Sequence, residues 1–552
     1  MAAIAGNVER PLARRQVLVV AASSAGTVFE WYDFYLYGSL AGVITHQFFS
    51  GVNETTGYIL ALLAFAAGFV VRPFGAAVFG RLGDIWGRKN TFLVTMLLMG
   101  LSTFAVGLLP SYAQAGLAAP GALVALRLLQ GLAIGGEYGG AAVYVAEHAP
   151  PGQRGLYGGW IQTTASLGVV LSLVVVMAVR AGLGESAFQA WGWRIPFLVS
   201  AGLLAVSMWI RLKLDESPVF AAMLAEGRTA KRPLKEAFTT PGNVRRMLTA
   251  LFGVHAGQGV VWYTSQFYAL FFLERMLKVD GALADLLAAA AIMIGTPCFV
   301  LMGALSDRFG RKPVMLTGLF LATLTAFPLF HLLTVSANPA LAAAAARAPV
   351  VVVADPADCS LQFDPVGKAV FDSTCDVAKA ALASAGVPYL NRTAPAGAVA
   401  VVQVAGQTIV SLSLRGLGPV ERAARQSAWR ARLQAATARA GYPASAAAAA
   451  VNRPAVLAAM VALMLSVTLM CGPLPAAVVE LYPARIRYTS MSLAFHVGNG
   501  WFGGFMPTIA FALVAATGDL YAGLWYPVAI AAVAFVVNLA FMPETRDADI
   551  RV

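Results

Sequence analysis

Twelve apolar stretches, each about 20–30 residues long and poor in charge, dominate the chain. They lie near 17–45, 55–80, 91–110, 121–147, 156–179, 194–212, 247–274, 284–305, 314–335, 455–480, 488–515 and 522–542. About 20 apolar residues in a helix cross roughly 30 Å of hydrocarbon. In lipid only a helix satisfies its backbone within one segment, so each stretch is expected to be helical. Their many Gly and Ala residues suit close helix contact. Of 552 residues, 59% are hydrophobic and 12% charged, where a soluble domain has about a quarter charged. That excludes an ordinary cytosolic enzyme, a disordered chain and a nucleic-acid binder.

The net charge of +12 is read through the loops. With the N-terminus inside, cytoplasmic segments hold about 22 basic residues, among them Arg14, Arg15, Arg228, Lys231 and Arg232. The short opposite loops hold about 4: Arg180, Arg194, Arg275 and Lys278. The positive-inside rule then places both termini in the cytoplasm. Residues 1–16 are polar and basic, and the apolar stretch after them is too long for a signal peptide's core. The expected order is a cytoplasmic segment 1–16, a six-helix bundle 17–212 and a cytoplasmic loop 213–246. Helices seven to nine follow at 247–336, an inserted domain at 337–453, helices ten to twelve at 454–542 and a cytoplasmic tail at 543–552.

The segment 337–453 breaks the regularity. Long loops cross the membrane regardless of charge, so the topology puts it on the outer face. Strands are expected at Val350–Ala354 and Ala398–Val404, and helices at Thr374–Ala385 and Val420–Ala440, giving a small α/β domain. Cys359 and Cys375 either close a disulfide in an oxidising periplasm or stay as two thiols. Cys298 and Cys471 fall in spans and read as packing residues. With no CxxC pair and no His/Cys cluster, neither a metal site nor a cofactor is expected.

The two halves repeat each other. Gly80-Arg-Leu-Gly83-Asp84-Ile-Trp-Gly87-Arg88-Lys89 follows the second span, and Gly303-Ala-Leu-Ser-Asp307-Arg-Phe-Gly310-Arg311-Lys312 follows the eighth. Glu147 with Arg154, after the fourth span, recurs as Glu480 with Arg487 after the tenth. The offset is 223 for the first pair and 333 for the second. The difference nearly equals the extra segment, so the repeat locates the insertion independently of hydropathy. In the loop motif, Gly80 and Gly83 allow close approach and tight turning. Asp84 can accept hydrogen bonds at a helix N-terminus. Arg88 and Lys89 can pair with acids on neighbouring helices in one conformation and release them in another, or simply anchor the loop in the cytoplasm.

These loops resemble the signature of the major facilitator superfamily. Phe29-Glu30-Trp31-Tyr32-Asp33-Phe34-Tyr35-Leu36-Tyr37-Gly38 resembles its metabolite:proton symporter branch. So do Val71-Arg72-Pro73-Phe74-Gly75, the run from Arg127 through Gln130-Gly131 to Gly135-Gly136-Glu137-Tyr138-Gly139-Gly140, and Glu480-Leu-Tyr-Pro-Ala-Arg485-Ile-Arg487-Tyr488. The resemblance covers both bundles, about four-fifths of the chain. It implies an all-α membrane protein of 12 helices in two six-helix bundles, in the bacterial inner membrane. The implied activity is proton-driven uptake of small metabolites such as 2-oxoglutarate, citrate, shikimate, proline or betaine. The inserted domain departs from shorter members.

Ionisable groups inside spans cost on the order of 3 kcal/mol on insertion scales and are usually retained for a pathway, relay or ion pair. The first half has Glu30, Asp33, Arg72, Arg127 and Glu137; the second has none comparably deep, with Glu274 and Glu480 at span ends. Asp33, with Glu30 one turn before it, is a candidate proton carrier. Its alternative is a permanent ion pair joining the first span to the fourth. Arg127 suits a carboxylate: it binds an anionic substrate or pairs with Asp33 or Glu137. Arg72, nearer the cytoplasmic end, is expected to snorkel and serve structure or gating before substrate. Glu137 is a relay carboxyl or a helix-pairing acid.

The second half offers neutral polar groups. His255, Gln258, Trp262 and Gln266 share a face of the seventh span, with Tyr263 beside them. The eleventh carries His496, Asn499 and Trp501. Gln258, Tyr263 and Asn499 are the substrate-lining candidates, against a plain role in interhelical hydrogen bonding.

The expected mechanism is alternating access with a proton and a small solute, by a monomer in the bilayer, with no covalent chemistry and no nucleic-acid partner. Without a Walker A motif, ATP is not the evident energy source. Three alternatives stand beside it: a proton-coupled efflux antiporter, a non-transporting solute sensor, and an enzyme in the insertion. The fifth span lacks the Gly-Pro pair usual in antiporters. The insertion's Asp355, Asp358, Asp364 and Asp372 come with no His.

Overall fold

The computed structural model describes residues 24, 26–29, 31–37, 40–49, 54–213, 216–360 and 371–551. Glu30, Gly38 and Asp364 therefore lie outside the described residues, as does the segment 1–16. Nine helices among the described residues are long and apolar enough to cross a membrane: Arg88–Leu108, Ala118–His148, Arg154–Leu183, Arg194–Leu212, Gly281–Phe309, Arg311–Ala337, Arg453–Leu481, Ala484–Thr517 and Ala522–Phe541. Helix Glu54–Ile85 precedes them. A continuous run of α and π turns extends from Asn243 to Met276. Large apolar side chains such as Phe74, Leu286 and Trp525 remain exposed, as a lipid-facing surface requires. Polar caps set several helix starts: Asp280 accepts from Leu283 N at 3.1 Å, and Asn338 from Leu341 N at 3.0 Å.

Each half packs on itself. Helix Ala118–His148 lies against Glu54–Ile85 and Arg88–Leu108, and Arg311–Ala337 against Arg453–Cys471. The halves meet along two related seams, Glu54–Ile85 with Arg487–Val497 and Arg154–Leu183 with Gly281–Phe309. Glycine makes both seams possible. A Cβ on Gly80 would lie 2.9 Å from the Thr489 Cα, and one on Gly155 would lie 2.3 Å from the Gly303 carbonyl oxygen. Gly80 and Gly83 thus sit inside a helix, at its crossing with the opposite half, and not in the tight turn expected of them. The turn is made by Gly87 at φ 101°, and in the second half by Gly310 at φ 99°, a region that favours glycine.

Residues 350–439 carry a four-stranded sheet in the order β2-β1-β3-β4. The strands are β1 Val350–Ala354, β2 Tyr389–Thr393, β3 Val401–Val404 and β4 Gln407–Val410. β1 pairs parallel with β2 and antiparallel with β3. Helix Thr374–Ala385 makes the β1–β2 crossover. β3 and β4 form a hairpin whose two loop residues, Ala405 and Gly406, both have positive φ, the geometry that matches strand twist. Helix Pro419–Arg439 anchors to the sheet through Trp429 Nε1, which donates to Val410 O at 2.7 Å. Cys359 and Cys375 are disulfide-bonded.

The sheet module docks on the second half. Lys379 Nζ donates to Ala516 O at 3.0 Å and Asn391 Nδ2 to Thr517 O at 2.5 Å. Both cap the C-terminal end of helix Met506–Thr517, where carbonyls lack intrahelical partners.

Candidate functional site

At the loop-motif end, the acids and bases of the two halves are crossed. The Asp84 carboxylate accepts from Thr489 N at 2.9 Å, Thr489 Oγ1 at 2.7 Å and Tyr488 N at 3.3 Å. It thereby caps helix Arg487–Val497 of the other half. Asp307 reciprocates: it accepts from Gly155 N at 2.9 Å and Leu156 N at 2.8 Å, at the start of helix Arg154–Leu183. Both acids thus sit at helix N-termini, where the dipole favours negative charge, and in each case the helix belongs to the opposite half.

The glutamates cross as well. Glu147 accepts from Arg487 at 2.7 Å, and Arg88 Nε lies 3.7 Å from it. Glu480 accepts from Arg311 at 3.0 Å, with Arg154 at 3.5 Å. Glu147 and Arg154 are therefore not partners of one another, nor are Glu480 and Arg487; each glutamate pairs with one arginine across the seam, Arg487 or Arg154, and has one from its own half beside it, Arg88 or Arg311. Arg88, Glu147, Arg311, Glu480 and Arg487 are almost fully buried, so removing one partner strands a charge, which typically costs about 3–5 kcal/mol. Glu480, at a span end, is drawn into this network.

The sequence reading missed two further acids. Glu216 accepts from Arg88 N at 3.1 Å and Lys89 N at 3.2 Å. Glu544 accepts from Arg311 N at 2.9 Å and Lys312 N at 3.1 Å. Their neighbours Ser217 and Thr545 bond Glu147 and Glu480. The signal was present as a third repeat, Glu216-Ser217 and Glu544-Thr545 after the sixth and last spans.

Deeper in, the charged side chains of the first half are buried. Asp33 Oδ1 accepts from Ser200 Oγ at 2.6 Å. The Arg127 guanidinium lies 3.6 Å from the Tyr37 ring centroid and within the field of Asp33. Arg72 stands 4.1 Å over Phe69 and 4.7 Å over Phe34. It is 2% exposed, so it does not snorkel. It faces the seam between the halves, in electrostatic reach of Tyr35 and Glu137 from its own half and Tyr263 from the other. Among the described residues, Nε and Nη2 of both arginines lack hydrogen-bond partners.

Glu137 is buried beside glycines that pack tightly. A Cβ on Gly136 would sit 2.3 Å from Phe79, and one on Gly135 would sit 2.3 Å from the Arg72 carbonyl oxygen. From the second half, Asn499 Nδ2 donates to Gln258 Oε1 at 2.8 Å. Tyr263 stacks on Phe267 at 5.4 Å, which stacks on Tyr35 at 5.9 Å. The seam around Arg72 is thus lined by aromatic faces and one cation. That surroundings suits a small solute bearing a carboxylate.

A family model described as "Sugar (and other) transporter" matches residues 18–237. The chain is 34% identical to the alpha-ketoglutarate permease of Escherichia coli (strain K12), over 59% of this chain and 74% of that protein. It is 35% identical to the proline/betaine transporter of Salmonella typhimurium (strain LT2), over 57% of this chain and 64% of that protein. Several curated relatives are matched over only half to two thirds of their own length. Among solved structures, the proton:xylose symporter XylE of E. coli, bound to 6-bromo-6-deoxy-D-glucose, superposes with a TM-score of 0.62 over 98% of both chains at 15% identity, a likeness of fold.

Proposed function

Since the chain belongs to the major facilitator superfamily, in its metabolite:proton symporter branch, we propose that it imports a small carboxylate-bearing metabolite together with protons by alternating access. The observation that carries this reading is Arg72: a buried cation at the seam between the halves, with two guanidinium nitrogens that have no hydrogen-bond partner among the described residues. The relatives named for alpha-ketoglutarate, shikimate and proline/betaine move solutes that share a carboxylate, which supports that class for this chain.

The reading takes twelve spans in two six-helix bundles, working as a monomer. It puts the crossed network on the cytoplasmic side and the sheet module outside, as the loop charges favour. The closed network then describes a state shut toward the cytoplasm, and solute reaches Arg72 from outside. Asp33 takes up the proton, and Glu30 and Glu137 serve as its companions in the relay. Arg127, already in the field of Asp33, compensates its charge when it is ionised. Gln258, Tyr263 and Asn499 complete the solute site from the second bundle. Once both cargoes are bound, the Asp84, Arg88, Glu147, Asp307, Arg311 and Glu480 contacts part, and Gly87, Gly310, Lys89 and Lys312 move with their loops. Gly80 and Gly83 let the seam close again. Purified protein in sealed liposomes with an imposed pH gradient tests the reading. Labelled 2-oxoglutarate, shikimate or glycine betaine should accumulate, and protons should enter only when that solute is present. No movement of any of the three under any gradient overturns it.

A further inference from the structure

Two histidines stand at the same seam. His255 ends a π segment, Leu251–His255, and His496 lies just before another, Gly498–Gly503. Both are at most 1% exposed. Among the described residues, neither ring nitrogen of either histidine has a hydrogen-bond partner. An unmade hydrogen bond on a buried group is costly, and π turns are frequent at functional positions. Phe495 stands edge-on to both rings, at 5.2 Å and 4.9 Å. The π segment after His496 lies against the first half: a Cβ on Gly500 would sit 4.0 Å from the Phe69 carbonyl oxygen, and one on Gly504, the residue after the segment, 2.9 Å from the Phe69 ring. Phe69 is one turn before Arg72, and His496 lies within electrostatic range of Arg72.

We propose that His496 contacts the cargo and that Arg72 and His496, from opposite bundles, hold one carboxylate between them. This rests on the import reading above. A neutral imidazole has one donor and one acceptor nitrogen. The donor completes the carboxylate's shell, and the acceptor remains for a hydroxyl or ammonium on the same solute. A carboxylate gripped from both sides draws the bundles together, whereas one gripped by Arg72 alone does not.

The test is equilibrium binding of 2-oxoglutarate and glycine betaine to purified protein in lipid nanodiscs. It compares wild type, His496→Ala, His496→Gln and, as an exposed control, His331→Ala. Loss of one hydrogen bond to a charged group should weaken the bound probe about tenfold in His496→Ala. His496→Gln, which keeps a donor, should recover most of that loss. His496→Ala also vacates ring volume beside Phe495, so a lower melting temperature alone is not the signal; the affinity loss is read well below the melting range. Unchanged affinity in His496→Ala, or a lower melting temperature with unchanged affinity, overturns the proposal while leaving the import reading intact. Failure of the wild type to bind either probe overturns both.

A separate observation concerns residues after the last helix. Arg154 Nη1, from the first half, donates to Ala548 O at 3.0 Å. Arg487 Nη2, from the second, donates to Ile550 O at 2.8 Å. Ile550 is buried against Val219, Phe220, Met223 and Ala484. We infer that residues 545–550 form a strap across the crossed network, so that parting the bundles on this side requires releasing the strap. Spin labels at Arg81→Cys and Phe309→Cys, exposed residues of the two halves, read the separation. Adding Ile550→Asp should lengthen the mean distance and raise the open population severalfold, and Ile550→Leu should not. Identical distance distributions in all three proteins overturn the inference.

Discussion

Glu147 accepts a 2.7 Å hydrogen bond from Arg487, a residue 340 positions later in the opposite half of the chain. Its counterpart Glu480 takes Arg154 in the same crossed sense. Sequence neighbours seven residues apart thus exchange partners, and the exchange ties the two halves together at the loop-motif end. A contact network of this kind holds one of two arrangements, and its removal shifts the population toward the other.

Breaking the crossed pair should bias that balance. In a double-mutant cycle with Glu147→Gln and Arg487→Gln, the coupling energy of thermal unfolding is expected at about 0.5–3 kcal/mol. Glu147→Gln alone should also increase the rate at which a thiol placed at Ser492, buried in this seam, reacts with a maleimide. Additive effects, with no change in reactivity, would separate the pair from gating.

The two loop glycines should be irreplaceable. Gly87→Ala and Gly310→Ala force positive φ on a residue with a Cβ, a strain of about 1–3 kcal/mol. The added atom would also fall 2.2 Å from Glu216 and 2.4 Å from Glu544, displacing both acid caps. Gly121→Ala, with nothing within 4 Å of the new atom, is the control. Melting temperatures in detergent should fall for the first two and stay level for the third.

How much of this was legible beforehand follows from what sequence records. The duplicated loops, with Asp84 and Asp307 at matching places, exposed the two related halves, because repeated spacing survives any hydropathy. The partners of Glu147 and Arg154 were not legible, since spacing along one helix says nothing about which helix lies opposite. Arg72 was placed by depth alone, and depth does not distinguish a lipid face from a seam. β2 was missed because Tyr389–Thr393 buries only its first residue and shows no alternation of apolar and polar side chains.

The disulfide gives a chemical check. The chain has 4 cysteines, of which Cys298 and Cys471 are free. Alkylation of the denatured protein should add two labels without reductant and four with it, by intact mass. Cys359→Ser should destabilise the sheet module by about 3 kcal/mol, the scale for closing a loop of this length, as read by limited proteolysis of that module. Four labels without reductant would show two thiols instead.

A substitution at Asp33 tests its proposed part in proton coupling apart from solute binding. Asp33→Asn keeps the shape and the contact with Ser200 but cannot carry a charge. It should abolish uphill accumulation driven by a pH gradient while sparing solute exchange across the membrane, measured by counterflow. Full gradient-driven accumulation in a normally expressed Asp33→Asn protein would assign the proton elsewhere.

The most direct measurement is paired uptake of solute and proton in liposomes holding wild type or Arg72→Gln. With wild type, one carboxylate-bearing solute should acidify the lumen as it accumulates, and Arg72→Gln should lose both signals together, by about a hundredfold if a buried charge-assisted contact of about 3 kcal/mol is removed. Solute accumulation unaffected by Arg72→Gln, or solute uptake without proton movement, would contradict the account.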